Sequence, residues 1–240
     1  MEQAGHPRGL DRLKVRTRRI YPVNLVDHSG ATVGRPAGGL ARHGGEAPDF
    51  GTYHHSSPSE SSNFREIARD LFLTAFETLP FSREDEIEVL DIGCGMGFLS
   101  CLAAEYYRRA NVTGVDTFEH ASLKNSSLRK AERNARILGL SDRVAFHKGD
   151  ILFTDFARKF DLLVSNLVFH NLGKKRIEGY RRIARWSTPE SYVLIGDIFF
   201  NYKADRVRLS GLFGSVTSVP VSADGALYRI LVMSEPKKKF

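Results

Sequence analysis

Three glycines at alternate positions follow an acidic residue in the stretch VLDIGCGMGFLS, residues 89–100. The apolar run before Asp91 is typical of a buried strand, and Gly93, Gly95 and Gly97 would form the loop that leads into a helix. Glycine permits positive φ angles and lets a ligand contact bare backbone. Because such a loop lies at the carboxyl edge of a parallel sheet, it predicts a ligand site there.

The glycine spacing differs from the dinucleotide fingerprint G-x-G-x-x-G, because it reads G-x-G-x-G and position 98 is Phe98. The fingerprint places a pyrophosphate at the amino end of the helix, and an acid directly before the loop would repel that anion. Asp91 is instead suited to a cationic group, such as an ammonium, reached directly or through water.

Two further acids end the next two predicted strands. Asp116 closes VTGVD, 19 residues past Gly97, where an acid can accept hydrogen bonds from both hydroxyls of a ribose. Asp150 closes the third strand in HKGDI, where its carboxylate could accept from an adenine amino group with Ile151 beside the ring. These positions predict a ligand that carries a ribose.

Alternating helices and strands are predicted to position these acids. Apolar residues at helical spacing indicate an amphipathic helix that starts at Asn63, with Asn63 and Glu66 as a capping pair and Pro80 at its end. Strands follow at residues 87–92, 111–115, 144–148, 162–165 and 192–198, and helices at 98–110, 121–138, 174–186 and 204–213. This alternation predicts an α/β domain with a mostly parallel sheet covered on both faces. The final GSVTSVPVSADGALYRILVM predicts two antiparallel strands with a turn at residues 224–225.

Residues 1–60 differ from the rest, because they are rich in glycine, proline, histidine and arginine and keep no regular period. We predict an N-terminal arm with a short strand pair or helical turn around residues 20–26, followed by one domain over residues 61–240. The arm is either partly disordered or a lid that orders over a bound ligand.

Composition narrows the class of protein. The chain has 42% hydrophobic residues and a formal charge of +7, which permits a polyanionic partner without requiring one. Cys94 and Cys101 are expected to be packed residues, and no metal site is predicted. No apolar stretch is long enough to span a membrane, and the first residues lack the apolar centre of a secretory signal, so we expect a cytoplasmic protein.

Four motifs in order resemble those of the class I S-adenosylmethionine-dependent methyltransferases, over roughly residues 63–233. VLDIGCGMG is similar to the first motif of that family, VTGVD to its second-strand acid, KGDI to its adenine-side acid and FDLLVSNLVFHNLG to its fourth-strand motif. The resemblance implies a doubly wound, Rossmann-like sheet of seven strands in the order 3-2-1-4-5-7-6, with the last strand antiparallel. It also implies S-adenosyl-L-methionine as the cofactor.

The resemblance implies a set of cofactor-binding residues at the strand ends. Asp91 would help to hold the amino end of the methionine, Asp116 the ribose and Asp150 the adenine. The full set is Asp91, Gly93, Cys94, Gly95, Gly97, Asp116, Thr117, Asp150, Ile151 and Asn166.

The segment after the fourth strand should line the site near the methyl group. Amino-methylating nucleic-acid enzymes of the family usually carry Asn/Asp-Pro-Pro-aromatic here, which holds a planar amino nitrogen by hydrogen bonds. SNLVFHN departs from that run and disfavours methylation of the amino group of an extruded base. Asn166 and His170 are the candidate catalytic residues, with His170 as a general base, although alignment alone can also drive methyl transfer.

Four residues are candidates for contact with the substrate: Tyr53, Phe169, Asn171 and Asp197. Tyr53 could close over the cofactor or belong to an exposed loop patch with its neighbouring histidines. Asp197 ends the fifth predicted strand, where it could meet the substrate or cap a turn.

The favoured function is direct, in-line transfer of a methyl group to an oxygen or nitrogen on a small molecule or a protein side chain. One alternative is an RNA methyltransferase, for which the arginines of RLKVRTRR could track phosphates. The other is a non-catalytic domain that binds the cofactor or a partner. No partner in a membrane is expected.

Overall fold

The computed structural model of the chain describes residues 45–219 and 227–237. The short strand pair or turn expected around residues 20–26 and the turn expected at 224–225 lie outside these described residues.

In the described part, seven strands form one sheet in the order β3-β2-β1-β4-β5-β7-β6. The strands are β1 (Glu88–Ile92), β2 (Asn111–Asp116), β3 (Val144–Lys148), β4 (Phe160–Asn166), β5 (Ser187–Ile198), β6 (Phe213–Ser218) and β7 (Tyr228–Pro236). The first five are parallel, whereas β7 runs antiparallel to both β5 and β6. The predicted fold class and strand order are therefore confirmed.

Helices cover both faces of the sheet. They are α1 (Pro58–Glu77), α2 (Phe98–Tyr106), α3 (Leu128–Ile137), α4 (Arg176–Trp186) and α5 (Tyr202–Leu212), and a 3₁₀ segment, Phe169–Lys175, precedes α4. Side chains alternate along β1, because Val89 packs into the core beneath α1, α2 and α3, whereas Leu90 and Ile92 pack into the core beneath α4 and α5. Burial on both faces explains why the central strands read as nearly continuous apolar runs.

Two helix starts differ from the prediction. Helix α1 begins five residues before Asn63, since Ser57 accepts from the Glu60 backbone at 3.2 Å and the Glu60 carboxylate accepts from the Ser57 backbone at 2.7 Å. This capping box, with Pro58 in the first turn, replaces the predicted Asn63 and Glu66 pair. The helix expected from residue 121 starts only at Leu128, because the Ser127 side chain caps it there.

Among residues 45–219 and 227–237, none of the helices has the length and apolar character needed to cross a membrane.

Candidate active site

The glycine loop joins β1 to α2 at the carboxyl edge of the sheet. Gly93, Gly95 and Gly97 have φ angles of 71°, 54° and 84°, in the left-handed region that side chains rarely adopt. A Cβ at Gly93 would also lie 2.2 Å from Cγ2 of Val168, so the backbone there touches the segment that follows β4. Both the conformation and the close approach therefore require glycine at position 93.

The other two glycines also allow side chains of neighbouring segments to pack closely against the loop. A Cβ at Gly95 would lie 2.8 Å from Cδ2 of Leu123, and one at Gly97 would lie 2.6 Å from Cζ of Phe146 in β3. The glycine loop is thus packed against the segments that follow β2 and β4, and against β3 itself. The loop lies where those segments converge, as a ligand site at this edge requires.

Asp91 lies beneath the glycine loop. Its side chain is about 1% exposed, and Ser100 Oγ in α2 donates to its Oδ2 at 2.5 Å. Burial raises the pKa of Asp91 from 3.8 to about 7, and the negative charge of Asp116 acts in the same direction. Direct contact between this buried carboxyl and the amino end of a ligand stays a prediction.

The raised pKa makes Asp91 a source of pH-dependent stability. Its folded-state pKa lies above the unfolded value, so the native state binds the proton more tightly, and stability falls as the pH rises from about 4 to about 7. Asp91→Asn cannot ionise and should escape this loss. We expect its advantage over the wild type to grow by on the order of a few kcal/mol between pH 4 and pH 8. Urea unfolding across this range measures it, and a constant difference would contradict the expectation.

Asp116 ties the end of β2 to the glycine loop. Its Oδ2 accepts from the Gly95 backbone at 2.9 Å, and its Oδ1 accepts from the Phe118 backbone at 2.6 Å. The side chain is half-buried, and each carboxylate oxygen retains capacity for a further donor. Asp116 therefore fits the two hydroxyls of a ribose, and the adjacent Thr117 is also half-buried.

Asp150 occupies the matching position after β3. It is half-buried, and its Oδ1 accepts from the Leu152 backbone at 2.8 Å, which fixes the turn and leaves the other oxygen for an amino group. Ile151 is buried in the core beneath α4 and α5. Cys94 is also buried, and burial raises the pKa of its thiol, so it is a packed residue as expected.

The chain bends sharply where β4 ends. Leu167 has a φ angle of 59°, which is rare for a bulky residue, and its backbone N–H donates to the Gly196 carbonyl at 2.8 Å. Such backbone strain is concentrated at functional sites. The bend holds Asn166 at the strand end and directs Val168 onto the glycine loop.

His170 and Asp197 form a hydrogen-bonded pair beside this bend. His170 Nδ1 lies 2.5 Å from Asp197 Oδ1, and the His170 backbone donates to Asp197 Oδ2 at 3.1 Å. When the carboxylate is ionised and the ring is neutral, Nδ1 carries the proton and the lone pair of the ring is on Nε2. Asp197 is about 1% exposed, and its Oδ1 also accepts from the Ile198 backbone at 2.7 Å. Its contact with a substrate stays a prediction.

Two other predicted substrate contacts have partners within the protein. Phe169 is about 1% exposed, and its ring stacks on Tyr180 with the centroids 4.8 Å apart, so it anchors the 3₁₀ segment to α4. Its contact with a substrate stays a prediction. Asn171 is exposed, and its Nδ2 donates to the Leu167 carbonyl at 3.1 Å, which braces the bend.

Residues 49–57 form a strap that runs from the glycine loop to the start of α1. Asn134 in α3 holds it, since its Oδ1 accepts from the Asp49 backbone at 2.9 Å and its Nδ2 donates to the carbonyls of Asp49 and Met96 at 2.8 and 2.9 Å. Tyr53 in the strap is half-buried and pairs with Leu123 as an antiparallel bridge. Sequence patterns could not identify Asn134, because it lies 85 residues from its partner Asp49.

His54 in the strap is close enough to His170 for the two side chains to interact electrostatically. Burial and the positive charges of nearby groups, among them His55, His120 and His170, lower the pKa of His54. Within the described ranges, no cluster of histidine, cysteine and acidic residues is arranged to hold a metal ion. The carboxyl edge therefore brings together the glycine loop, the half-buried acids Asp116 and Asp150, the hydrogen-bonded pair of His170 and Asp197, and the strap.

Curated relatives match only part of the chain. One is the tRNA1(Val) (adenine(37)-N6)-methyltransferase of Vibrio vulnificus strain YJ016, 31% identical over 97 residues, or 40% of this chain and 38% of that protein. Another is the malonyl-[acyl-carrier protein] O-methyltransferase of Priestia megaterium, 33% identical over 84 residues, or 35% of this chain and 27% of that protein. The chain thus spans 38% of the length of the first relative and 27% of the length of the second.

Solved structures share the fold at low sequence identity. The mitomycin 7-O-methyltransferase MmcR has a TM-score of 0.54 and 19% identity, over 75% of this chain and 59% of that chain. The ribosomal protein L11 methylase of Lactobacillus delbrueckii subsp. bulgaricus has a TM-score of 0.53 and 17% identity, over 76% of this chain and 81% of that chain.

A family model described as a methyltransferase domain matches residues 83–219, which is more than half of the chain. The match includes the glycine loop, the acids at the ends of β2 and β3, and the histidine pair. Together with the strand order 3-2-1-4-5-7-6, it shows that the chain belongs to the class I S-adenosylmethionine-dependent methyltransferases.

Proposed function

We propose that the chain binds S-adenosylmethionine at the glycine loop and transfers its methyl group to an oxygen or nitrogen of a small molecule or protein side chain. The observation that carries this proposal is the pair of His170 and Asp197 beside the loop, because it provides an oriented base where an acceptor would lose its proton. The bound cofactor supplies an electrophilic methyl carbon on a sulfonium.

The residues of the carboxyl edge fit this cofactor. Asp116 would hold the ribose hydroxyls and Asp150 the adenine amino group, since both are half-buried carboxylates at neighbouring strand ends. The glycine loop, whose backbone is left-handed at Gly93, Gly95 and Gly97, would accommodate the methionine part above Asp91.

His170 would act on the acceptor. With Nδ1–H held by Asp197, the lone pair on Nε2 can take the proton that the acceptor gives up. The buried carboxylate then stabilises the imidazolium that forms, as in other oriented histidine bases. The bend at Leu167 keeps this ring at the edge of the glycine loop.

RNA is the second candidate acceptor. It is favoured by the similarity to tRNA methyltransferases and by the formal charge of +7. Activity on RNA that falls steeply with salt would support it, whereas salt-insensitive activity on a metabolite would exclude it.

Calorimetric titration with S-adenosylmethionine and S-adenosylhomocysteine tests the proposal first. Asp116→Ala should weaken both about 10- to 100-fold, because it removes charge-assisted hydrogen bonds to the ribose. Asp142→Ala, an exposed acid after α3, is the matched control and should bind like the wild type. Failure of the wild type to bind either compound would overturn the proposal in favour of a non-catalytic domain.

A further inference from the structure

Asn166 is held by a residue from the other end of the chain. It is the last residue of β4, and Tyr228, the first residue of β7, donates its hydroxyl hydrogen to Asn166 Oδ1 at 2.7 Å. Because β7 is antiparallel to β5, its first residue reaches the carboxyl edge, where the parallel strands end.

Close packing fixes the position of the Tyr228 hydroxyl. Its ring meets Phe64 of α1 edge to face, with the centroids 4.9 Å apart. A Cβ at Gly196 would lie 2.5 Å from the hydroxyl oxygen and 2.9 Å from the ring of Phe72. The ring therefore crosses β5 over a glycine, and the hydroxyl has little freedom to leave Asn166.

This hydrogen bond is made with the oxygen end of the Asn166 amide. Oδ1 therefore already has a partner in Tyr228, whereas the whole hydrogen-bonding capacity of the Nδ2 amino group, which only donates, is left for a ligand. Within residues 45–219 and 227–237, Nδ2 has no hydrogen-bond partner, and the residue is half-buried beside the bend that leads to His170.

A donor at this position suits one kind of acceptor. A planar amino group brings its own hydrogens and needs acceptors, which Nδ2 cannot supply, so only the second lone pair of Oδ1 could serve it. A hydroxyl oxygen can accept from Nδ2 while its proton passes to His170. The same geometry would disfavour the adenine amino group on which the tRNA relatives act.

We propose that Tyr228 is a positioning residue that fixes Asn166 as a hydrogen-bond donor, and that the methyl acceptor is therefore an oxygen. The inference rests on the proposed function. The acceptor O–H bond breaks with its proton going to His170 Nε2, and the O–CH₃ bond forms. The methyl–sulfur bond of the cofactor breaks at the same time, and its electron pair stays on sulfur.

The atom to which the transferred methyl group is bonded in the product tests whether the acceptor is an oxygen. The full chain is incubated with ¹³C-methyl S-adenosylmethionine and, separately, a cellular small-molecule extract, a protein extract and total RNA. The ¹³C shift of the product distinguishes O-methyl from N-methyl groups. O-methyl products support the inference. N-methyl products alone overturn it while leaving the proposed function intact, and no transfer to any pool overturns the proposed function.

Two variants test the part played by the amide. Tyr228→Phe should lower the rate of O-methyl formation about 10-fold with cofactor affinity unchanged, and should lower the ratio of O-methyl to N-methyl product, because the amide can then rotate. Asn166→Asp keeps an oxygen for Tyr228 but has no Nδ2, and should lose O-methylation as well.

Tyr192→Phe is the matched control, because it removes a hydroxyl from the middle of β5, away from the carboxyl edge. It should leave both the rate and the product ratio unchanged. Wild-type rate and ratio in Tyr228→Phe, or full O-methylation by Asn166→Asp, would overturn the inference. A structural role for Tyr228 alone would lower thermal stability without changing the product ratio.

Discussion

Replacing His170 by alanine is expected to lower kcat for methyl transfer by about 10²- to 10⁴-fold, the usual contribution of general acid–base catalysis. The affinity for S-adenosylmethionine should not change, because the imidazole lies on the acceptor side, after the bend at Leu167. Single-turnover kinetics with labelled cofactor measures the chemical step, and calorimetry measures the binding. His147→Ala, an exposed histidine of β3, is the matched control and should behave like the wild type.

A double-mutant cycle tests whether Asp197 acts through His170 or independently of it. Asp197→Asn preserves the shape of the side chain but removes the charge that holds Nδ1–H, so it should also slow transfer. If the two residues act as one unit, the double variant with His170→Ala should be no slower than His170→Ala alone. A wild-type rate in His170→Ala would mean that alignment alone drives the reaction.

Gly93→Ala is expected to have the largest effect on folding. A left-handed backbone costs alanine about 1–2 kcal/mol, and overpacking against Val168 adds about 1–3 kcal/mol. The expected loss in free energy of unfolding is therefore about 2–5 kcal/mol. Cofactor binding should be weakened as well, since the 2.2 Å contact can be relieved only if the glycine loop or Val168 moves. Urea unfolding and calorimetry test the two parts.

Two further variants separate strain from crowding at Gly93. Gly211→Ala places the same methyl group in helix α5, where nothing lies within 4 Å, and should leave stability unchanged or raise it by up to about 1 kcal/mol. Val168→Ala in the Gly93→Ala background should recover the stability lost to crowding but not the stability lost to the left-handed backbone. Wild-type stability in Gly93→Ala would show that the loop adapts freely.

The positions of the strands were predictable because the sequence carries that signal locally, whereas their order followed from the resemblance to a known family. Strands buried on both faces appear as apolar runs, and the acids at their carboxyl ends meet at one edge in any parallel sheet. The signal for the start of α1 was equally local but was missed. The capping box at Ser57 and Glu60 lies within a glycine- and serine-rich stretch that indicates a loop.

The contacts that give the site its chemistry could not be predicted in the same way. His170 and Asp197 lie 27 residues apart, and Asn166 and Tyr228 lie 62 apart, so each pair depends on the register of the sheet. Phe169 and His170 are neighbours in the chain, yet one is buried and the other faces the edge. The exact path of a 3₁₀ segment decides that difference, and residue type alone does not.

The positive φ at Leu167 also affects which substitutions the protein can tolerate. Among the described residues, five that are not glycine have positive φ, and four of them, His55, Phe118, Asn125 and Leu167, lie in the segments that converge on the site. Glycine at any of these positions would relieve backbone strain but would also allow the segment many more conformations. The two effects therefore act in opposite directions on the stability of the folded protein at these four residues.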